Sequence, residues 1–392
     1  MIEFKLPSLG ADMEEGTLLE WKAMPGDQVR RGDVVAVVDT TKAAVDVEIW
    51  EEGTMHEWIV KPGETVPVGT VLALLLAPGE TPETAVRPTP APIRPAAPAM
   101  PAAPAAPPAP AVAPAERRRI SPAARKHAAD LGVNPDTVEG TGPGGAVTVE
   151  DIDRAAREAK AAAAVPAAPR DRAAEMRKAI AAAMSRSKRE IPHYYLSETI
   201  PMQRATEWLA RENEKRPITG RLLMAVLQLK AVALALGRFP DLNGFFRDGA
   251  HQPSSAAHVG VAISLRQGGL VAPAIHDVQA KSLDELMRSL SDLVQRARAG
   301  SLKSSEMSDP TITVTNLGET GVDATFPIIY PPQVAIVGFG RIAPRPWAQD
   351  GEVRALPTVV ASLAADHRVS DGHRGALFLA EIAKRLQEPE TL

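Results

Sequence analysis

Cysteine is absent from the 392 residues. That excludes disulfides, a thiol nucleophile and thiolate metal sites, so any sulfur chemistry comes from a cofactor or a substrate. Aromatic residues are scarce, at 4% against a hydrophobic fraction of 45%. Alanine and proline inflate the second figure, so part of the chain builds no core. No charge of one sign dominates: 44 Lys and Arg stand against 48 Asp and Glu, a net charge of −4. There is no basic field for nucleic acid and no Lys/Arg-rich amphipathic helix of the membrane-surface type. None of the eight histidines forms a helical His-x-x-x-His pair, so no metal site is expected. No apolar run is read as reaching the roughly 18–20 residues of a transmembrane helix. The N-terminal segment lacks the charged start, apolar run and cleavage site of a secretory signal. The expectation is a soluble, cytoplasmic protein with neither nucleic-acid nor membrane partners.

What is present is segmented. The length argues for two or three domains. Between Pro82 and Pro114 lie 12 of the 36 prolines, with alanine filling most of the remainder. Such a stretch cannot bury enough apolar surface to offset its ordering entropy. It reads as a semi-rigid spacer able to span roughly 100 Å at about 3.1 Å per residue. A shorter Ala/Pro segment runs near Ala161 to Pro169. The predicted division is 1–78, a spacer 79–117, a small domain 118–156, a second spacer 157–171, and a large domain 172–392.

The first segment repeats itself. Met24-Pro25-Gly26-Asp27 through Gly32-Asp33-Val34 recurs as Lys61-Pro62-Gly63-Glu64 through Gly69-Thr70-Val71, at a constant offset of 37 (Gly63 against Gly26). Each copy reads as turn, short strand, turn, strand. Two such halves predict an all-β flattened barrel or sandwich with a pseudo-twofold axis. Between them, strand-like runs flank Asp39-Thr40-Thr41-Lys42, which fits a hairpin presenting Lys42 at its tip. In an arbitrary hairpin such a lysine is a solvated turn residue; the surrounding repeat argues for more.

In the small domain, Ser121-Pro122 reads as an N-cap with proline at the first helical position. Gly132 stops that helix, and Thr148 caps a second one through Ile152. The intervening Gly140-Thr141-Gly142-Pro143-Gly144-Gly145 lacks the Lys-Ser/Thr of a phosphate loop and follows no strand, so that reading is rejected. The large domain has an α/β pattern. Helices are predicted over Ala173–Lys188, Gly220–Leu236 and Leu283–Ala299, and strands over His258–Leu265, Thr311–Thr315, Val334–Val337 and Thr358–Leu363. Its chemistry concentrates at Ala365-Asp366-His367-Arg368-Val369-Ser370-Asp371-Gly372, where a strand ends and a helix, about Gly375–Leu386, begins. A histidine held there between charges and a tight turn has its ring fixed in one tautomer.

These segments resemble a known family along essentially the whole chain. Residues 1–78 resemble a lipoyl domain, with Thr41 where Asp usually precedes the lysine. Biotin carriers share the architecture but flank their lysine with methionine, and Thr41 and Ala43 argue against biotin. Residues 118–156 resemble a peripheral-subunit-binding domain, in which Arg125 matches one basic docking position while Ala129 and Ala146 occupy two others. The Asp-His-Arg-x-x-Asp-Gly motif resembles the signature of the dihydrolipoamide acyltransferases and of chloramphenicol acetyltransferase. Ile191-Pro192-His193-Tyr194-Tyr195, Gly269-Leu270-Val271-Ala272-Pro273, Thr313-Val314-Thr315-Asn316-Leu317-Gly318 and Pro331-Pro332-Gln333-Val334 agree with it. The resemblance implies lipoate in amide linkage to Lys42, coenzyme A as acyl acceptor, and an acyltransferase of a 2-oxo acid dehydrogenase complex. It implies 2-oxo acid dehydrogenase and dihydrolipoamide dehydrogenase as partners, and homotrimers assembled into a large core. His367 of one subunit would then work with Thr315 of its neighbour. Tyr330 stands where the family usually has asparagine.

The chemistry follows from the groups. A free thiol has a pKa of about 8.5 and an ordinary imidazole about 6.5, which suits a histidine to general-base work. His367 is expected to deprotonate coenzyme A, Thr315 to donate to the oxyanion, and Asp371 to hold the loop through a salt bridge, by resemblance to Arg177. Acetyl, branched-chain and succinyl enzymes share the motifs; acetyl is expected on commonness. Two rivals are a non-catalytic lipoyl-bearing scaffold that only binds the other enzymes, and a biotin carrier. The intact histidine motif disfavours the first.

Overall fold

The computed structural model describes residues 1–9, 13–40, 44–77, 80, 120–131, 134–143, 145–164, 172–265, 269–318, 321–349 and 351–392. The first predicted spacer apart from residue 80, and residues 165–171 of the second, lie outside them. Two compact units emerge, one of Met1–Pro88 with Asp171–Leu392 and one of Thr89–Arg170.

The N-terminal β-domain contains β1 (Ile2–Lys5), β2 (Glu15–Trp21), β3 (Gln28–Val29), β4 (Val34–Asp39), β5 (Ala44–Glu48), β6 (Gly53–Trp58), β7 (Thr65–Pro67) and β8 (Val71–Leu76). One sheet runs β1-β8-β6-β3 and the other β5-β4-β2-β7. The repeat is visible atom by atom. Gly26 and Gly63, and likewise Gly32 and Gly69, have φ between 87° and 102°, a region only glycine enters without strain. Met24 N–H donates to the Asp27 carboxylate, and Lys61 N–H to that of Glu64. Trp21 and Trp58 stack with centroids 5.6 Å apart and planes 3° apart. Their indole N–H groups donate to the Val60 and Ala23 carbonyls. Each of these pairs is related by the offset of 37, so the sequence repeat is a structural twofold.

The second unit is helical: α1 (Pro122–Leu131) and α2 (Val149–Ala164). The Ser121 hydroxyl accepts the Ala124 N–H at 3.1 Å, the expected cap. Gly132, the expected stop, lies outside the described residues. Helix α2 runs further than expected, through Ala164, into the stretch read as the second spacer. Alanine is the strongest helix former, so a run of it propagates a helix rather than an extended strand. The glycine-rich loop closes on itself: a Cβ at Gly140 would meet the Gly145 carbonyl at 2.5 Å. The loop is held by Asp151, fully buried, which accepts from the N–H and hydroxyl of both Thr141 and Thr148.

In the large domain α3 (Arg172–Glu190) leads into β9 (His193–Pro201), α4 (Gln203–Glu214) and α5 (Met224–Leu236). There follow β10 (Gly244–Arg247), β11 (Ala250–Pro253), β12 (Val259–Val261), β13 (Ile263–Ser264), β14 (Leu270–Val271) and β15 (Ala274–Ile275). The rest comprises α6 (Leu283–Ala299), β16 (Leu302–Lys303), α7 (Ser304–Ser308), β17 (Ile312–Asn316), β18 (Ala335–Phe339), β19 (Ala343–Gln349), β20 (Glu352–Asp366) and α8 (Gly372–Gln387). The main sheet runs β15-β12-β17-β18-β20-β19, with β9 also paired to β20. Strand β20 is long enough to pair β19 with its first half and β18 with its second. Alternation along it sorts two layers. Val359, Ala361, Leu363 and Ala365 face the cluster containing α5, α6 and α8, while Ala364 faces the opposite layer with Ile191, Ile329 and Ile336.

One expectation fails here. Ile218–Leu236 is by length and composition apolar enough to cross a membrane. Its helical part, α5, buries ten of its 13 residues, so the apolar character serves the protein core, where a helix is hydrophobic all round.

Candidate active site

His367 occupies the turn between β20 and α8. Its backbone N–H donates to the Pro192 carbonyl at 3.0 Å, and its exposed ring meets the edge of Tyr194 with centroids 5.3 Å apart. The charged neighbours in the motif brace this turn. Asp366 is fully buried and takes both the backbone N–H and the guanidinium of Arg368, the closest contact being 2.6 Å. That guanidinium also lies 3.9 Å over the Phe246 ring. A buried carboxylate needs such partners. The Ser370 hydroxyl is 2.8 Å from the Tyr194 hydroxyl, and a Cβ on Gly375 would strike the Tyr194 ring at 2.9 Å. Tyr194 therefore fills a slot between helix and histidine. Within the motif's surroundings it is the residue whose role was not foreseen, although the segment carrying it was singled out.

Asp371 does not make the expected salt bridge. It is the N-cap of α8, with its carboxylate accepting the Arg374 N–H at 2.9 Å. The Arg374 and His373 N–H groups hold its carboxyl below the usual range. Among the described residues no ion pair joins it to Arg177, which is exposed on α3. The reason is geometric: an extended N-cap directs its side chain back at its own helix's first turn, whose N–H groups lack other partners. Arg374, in the first turn of this helix, pairs with Asp241.

Thr315 lies on β17, half-buried, far from the histidine of its own chain. It is opposite Gly338, which is opposite Ser362, and His367 follows Ser362 by five positions. At about 3.3 Å per residue this is roughly 16 Å along the strands. An oxyanion donor has to stand about 2.7–3.1 Å from its target. One chain does not bring the two together.

Strands β4 and β5 pair up to Asp39 opposite Ala44, so Lys42 belongs to the connection closing this hairpin. Residues 41–43 themselves lie outside the described residues. Arg125 is exposed on α1.

Comparison with known proteins gives three family matches. Residues 167–392 match the catalytic domain of 2-oxoacid dehydrogenases acyltransferase. Residues 2–75 match the biotin-requiring enzyme domain, and 118–153 an e3 binding domain. The first covers more than half of the chain. The chain belongs to the 2-oxoacid dehydrogenase acyltransferase family. Across its full length this acyltransferase is 31% identical to the dihydrolipoyllysine-residue acetyltransferase component of the pyruvate dehydrogenase complex of Staphylococcus aureus, covering 98% of that protein. The Staphylococcus epidermidis counterpart is 30% identical with the same coverage. Among solved structures, a probable dihydrolipoamide acetyltransferase from Listeria monocytogenes superposes with a TM-score of 0.53 at 29% identity, over 57% of this chain and 94% of that one. The cubic core of a pyruvate dehydrogenase multienzyme complex gives 0.53 at 27% identity, over 58% and 98%.

Proposed function

We propose that this acyltransferase moves an acetyl group to coenzyme A from a carrier arm on Lys42, with His367 as general base and Thr315 of a neighbouring copy as oxyanion donor. The observation that carries the reading is the His367 turn, where the ion pair of buried Asp366 with Arg368, a helix cap and Tyr194 fix the position of one exposed imidazole. A lipoyl group on Lys42 would supply a mobile dithiol to a chain with no thiol of its own. The imidazole takes the proton of the acceptor thiol, whose sulfur then adds to the thioester carbonyl. The threonine hydroxyl donates to the oxygen that becomes negative, and the imidazolium returns its proton to the departing sulfur. Atoms and charge balance with no other reactant.

The division into domains at 1–78, 118–156 and 172–392 belongs to the same proposal. So do homotrimers building a large core, and docking of dihydrolipoamide dehydrogenase through Arg125. The full-length likeness to acetyltransferase components supports the pyruvate type. His367→Ala is expected to slow transfer from acyl-dihydrolipoamide to coenzyme A by about 10²–10⁴-fold while leaving the fold intact, since the ring is exposed. Unchanged turnover would remove the enzymatic reading and leave a scaffold. Turnover with acetyl-, isobutyryl- and succinyl-coenzyme A compared in parallel tests the acyl group, and a preference for either larger group overturns acetyl.

A further inference from the structure

The second sheet of the N-terminal β-domain does not end at β5. Strand β16 of the large domain adds to it in parallel, with Leu302 opposite Val45 and Lys303 opposite Asp46. An edge that would otherwise expose unpaired N–H and C=O groups is thereby covered. Next to this seam Glu48 is only 6% exposed, and a carboxylate so placed needs donors. The Ser305 hydroxyl donates to it at 2.5 Å and the Ser305 N–H at 3.2 Å. The Ser304 hydroxyl stands at 3.4 Å, and Lys303 Nζ lies 3.5 Å from the other carboxylate oxygen. In return the Glu48 N–H donates to Ser304 Oγ at 3.1 Å. Met307, on the same short helix, packs against the hydrophobic clusters of both domains. Ser8, in the loop after β1, lines the same cavity of about 670 Å³ as Phe246, Met307, Gln333 and Arg368, and Arg368 follows His367 in the chain.

We propose that residues 302–307 form a reversible docking site for the chain's own N-terminal β-domain: a strand addition anchored by the Glu48 carboxylate, holding the Lys42-bearing domain against the cavity that reaches the His367 turn. The proposal rests on the preceding reading only in taking that domain as the carrier. Main-chain pairing sets the register, and the carboxylate in its ring of hydroxyl and N–H donors makes the contact selective. On release these groups return to water, which satisfies them nearly as well, so the net gain of docking is modest and the domain is free to leave.

The absence of cysteine makes the test direct. Asp46→Cys with Lys303→Cys gives the full-length protein two thiols facing each other across the seam. Under mild oxidation the expected result is a disulfide within one chain. Ser305→Glu, which sets a second carboxylate against Glu48, is expected to slow its formation about tenfold. Adding Glu48→Lys restores an opposite-charge pair and is expected to restore the rate, which separates loss of the dock from misfolding. An unchanged rate with Ser305→Glu, no recovery in the paired variant, or disulfides only between chains would each overturn the proposal. The readout involves no acyl transfer, so its failure leaves the active-site reading standing, and failure of that reading leaves the dock standing.

Discussion

At the scale of single residues the site is built by packing around one imidazole. Tyr194 is wedged between His367 and Gly375, and its hydroxyl meets Ser370. Gly375→Ala adds one methyl 2.9 Å from both the Tyr194 ring and the Leu196 side chain, so the tyrosine cannot keep its place unchanged. The expected outcome is a folded protein whose rate of transfer falls while its affinity for coenzyme A changes little, read as a drop in kcat at near-constant KM. Tyr194→Phe keeps the ring and is expected to lose much less. If Gly375→Ala leaves kcat intact, the tyrosine does not position the histidine. The histidine itself was legible from the motif, because Asp, His, Arg, Asp and Gly at fixed spacing imply a braced turn. The cap role of Asp371, in place of the expected pair with Arg177, was not, since a cap and a salt bridge use the same carboxylate and only the backbone conformation decides between them. Asp151 was invisible for a related reason: a carboxylate next to a glycine-rich loop reads as solvated until the loop is seen to fold over it.

At the scale of elements, the strongest signals were periodic and the failures came from composition. The offset of 37 predicted the twofold because positive-φ glycines and stacked tryptophans have to recur together. Helix α6 has the bounds expected for it, Leu283–Ala299, with a Ser282/Glu285 capping box at one end and Gly300 at φ 77° at the other. Strand β19 carries Pro344 and Pro346, which argue against a strand. It exists because it is the sheet's edge, where a missing N–H faces no partner. In the helical unit Asp151 sets a pH limit. The Thr141 and Thr148 N–H groups hold its carboxyl far below the usual range. A depressed native pKa contributes stability that is fully present above the unfolded value of about 3.9 and is lost as pH falls through the native one. Hydrogen exchange in peptides spanning 140–151 is therefore expected to accelerate as pH drops below about 4, after correction for intrinsic exchange. Asp151→Asn is expected to exchange faster already at neutrality and to lack that extra step. A wild-type profile without the step would place the carboxylate's contribution elsewhere.

At the scale of the whole molecule, the sequence showed three kinds of folding segment, and its resemblance implied a site shared between subunits without giving the geometry that requires it. Thr315 was found by its match to a family position, and only the strand register shows that it stands about 16 Å along the sheet from its own chain's His367. If the pair acts on one carbonyl, two copies have to meet, His367 from one and Thr315 from the next. Closed symmetric assembly makes this testable by complementation. His367→Ala and Thr315→Ala are each expected to be nearly inactive alone. When the two are co-expressed and assemble at random, about one site in four combines an intact histidine with an intact threonine from a different chain. Activity is then expected to return to about a quarter of wild type, although no single chain is intact. A site formed within one chain predicts no recovery at all, because every chain lacks one of the two groups. The two models differ without adjustable quantities, and mixing variants that have already assembled separately supplies the control, since exchange between finished cores is required before any activity appears.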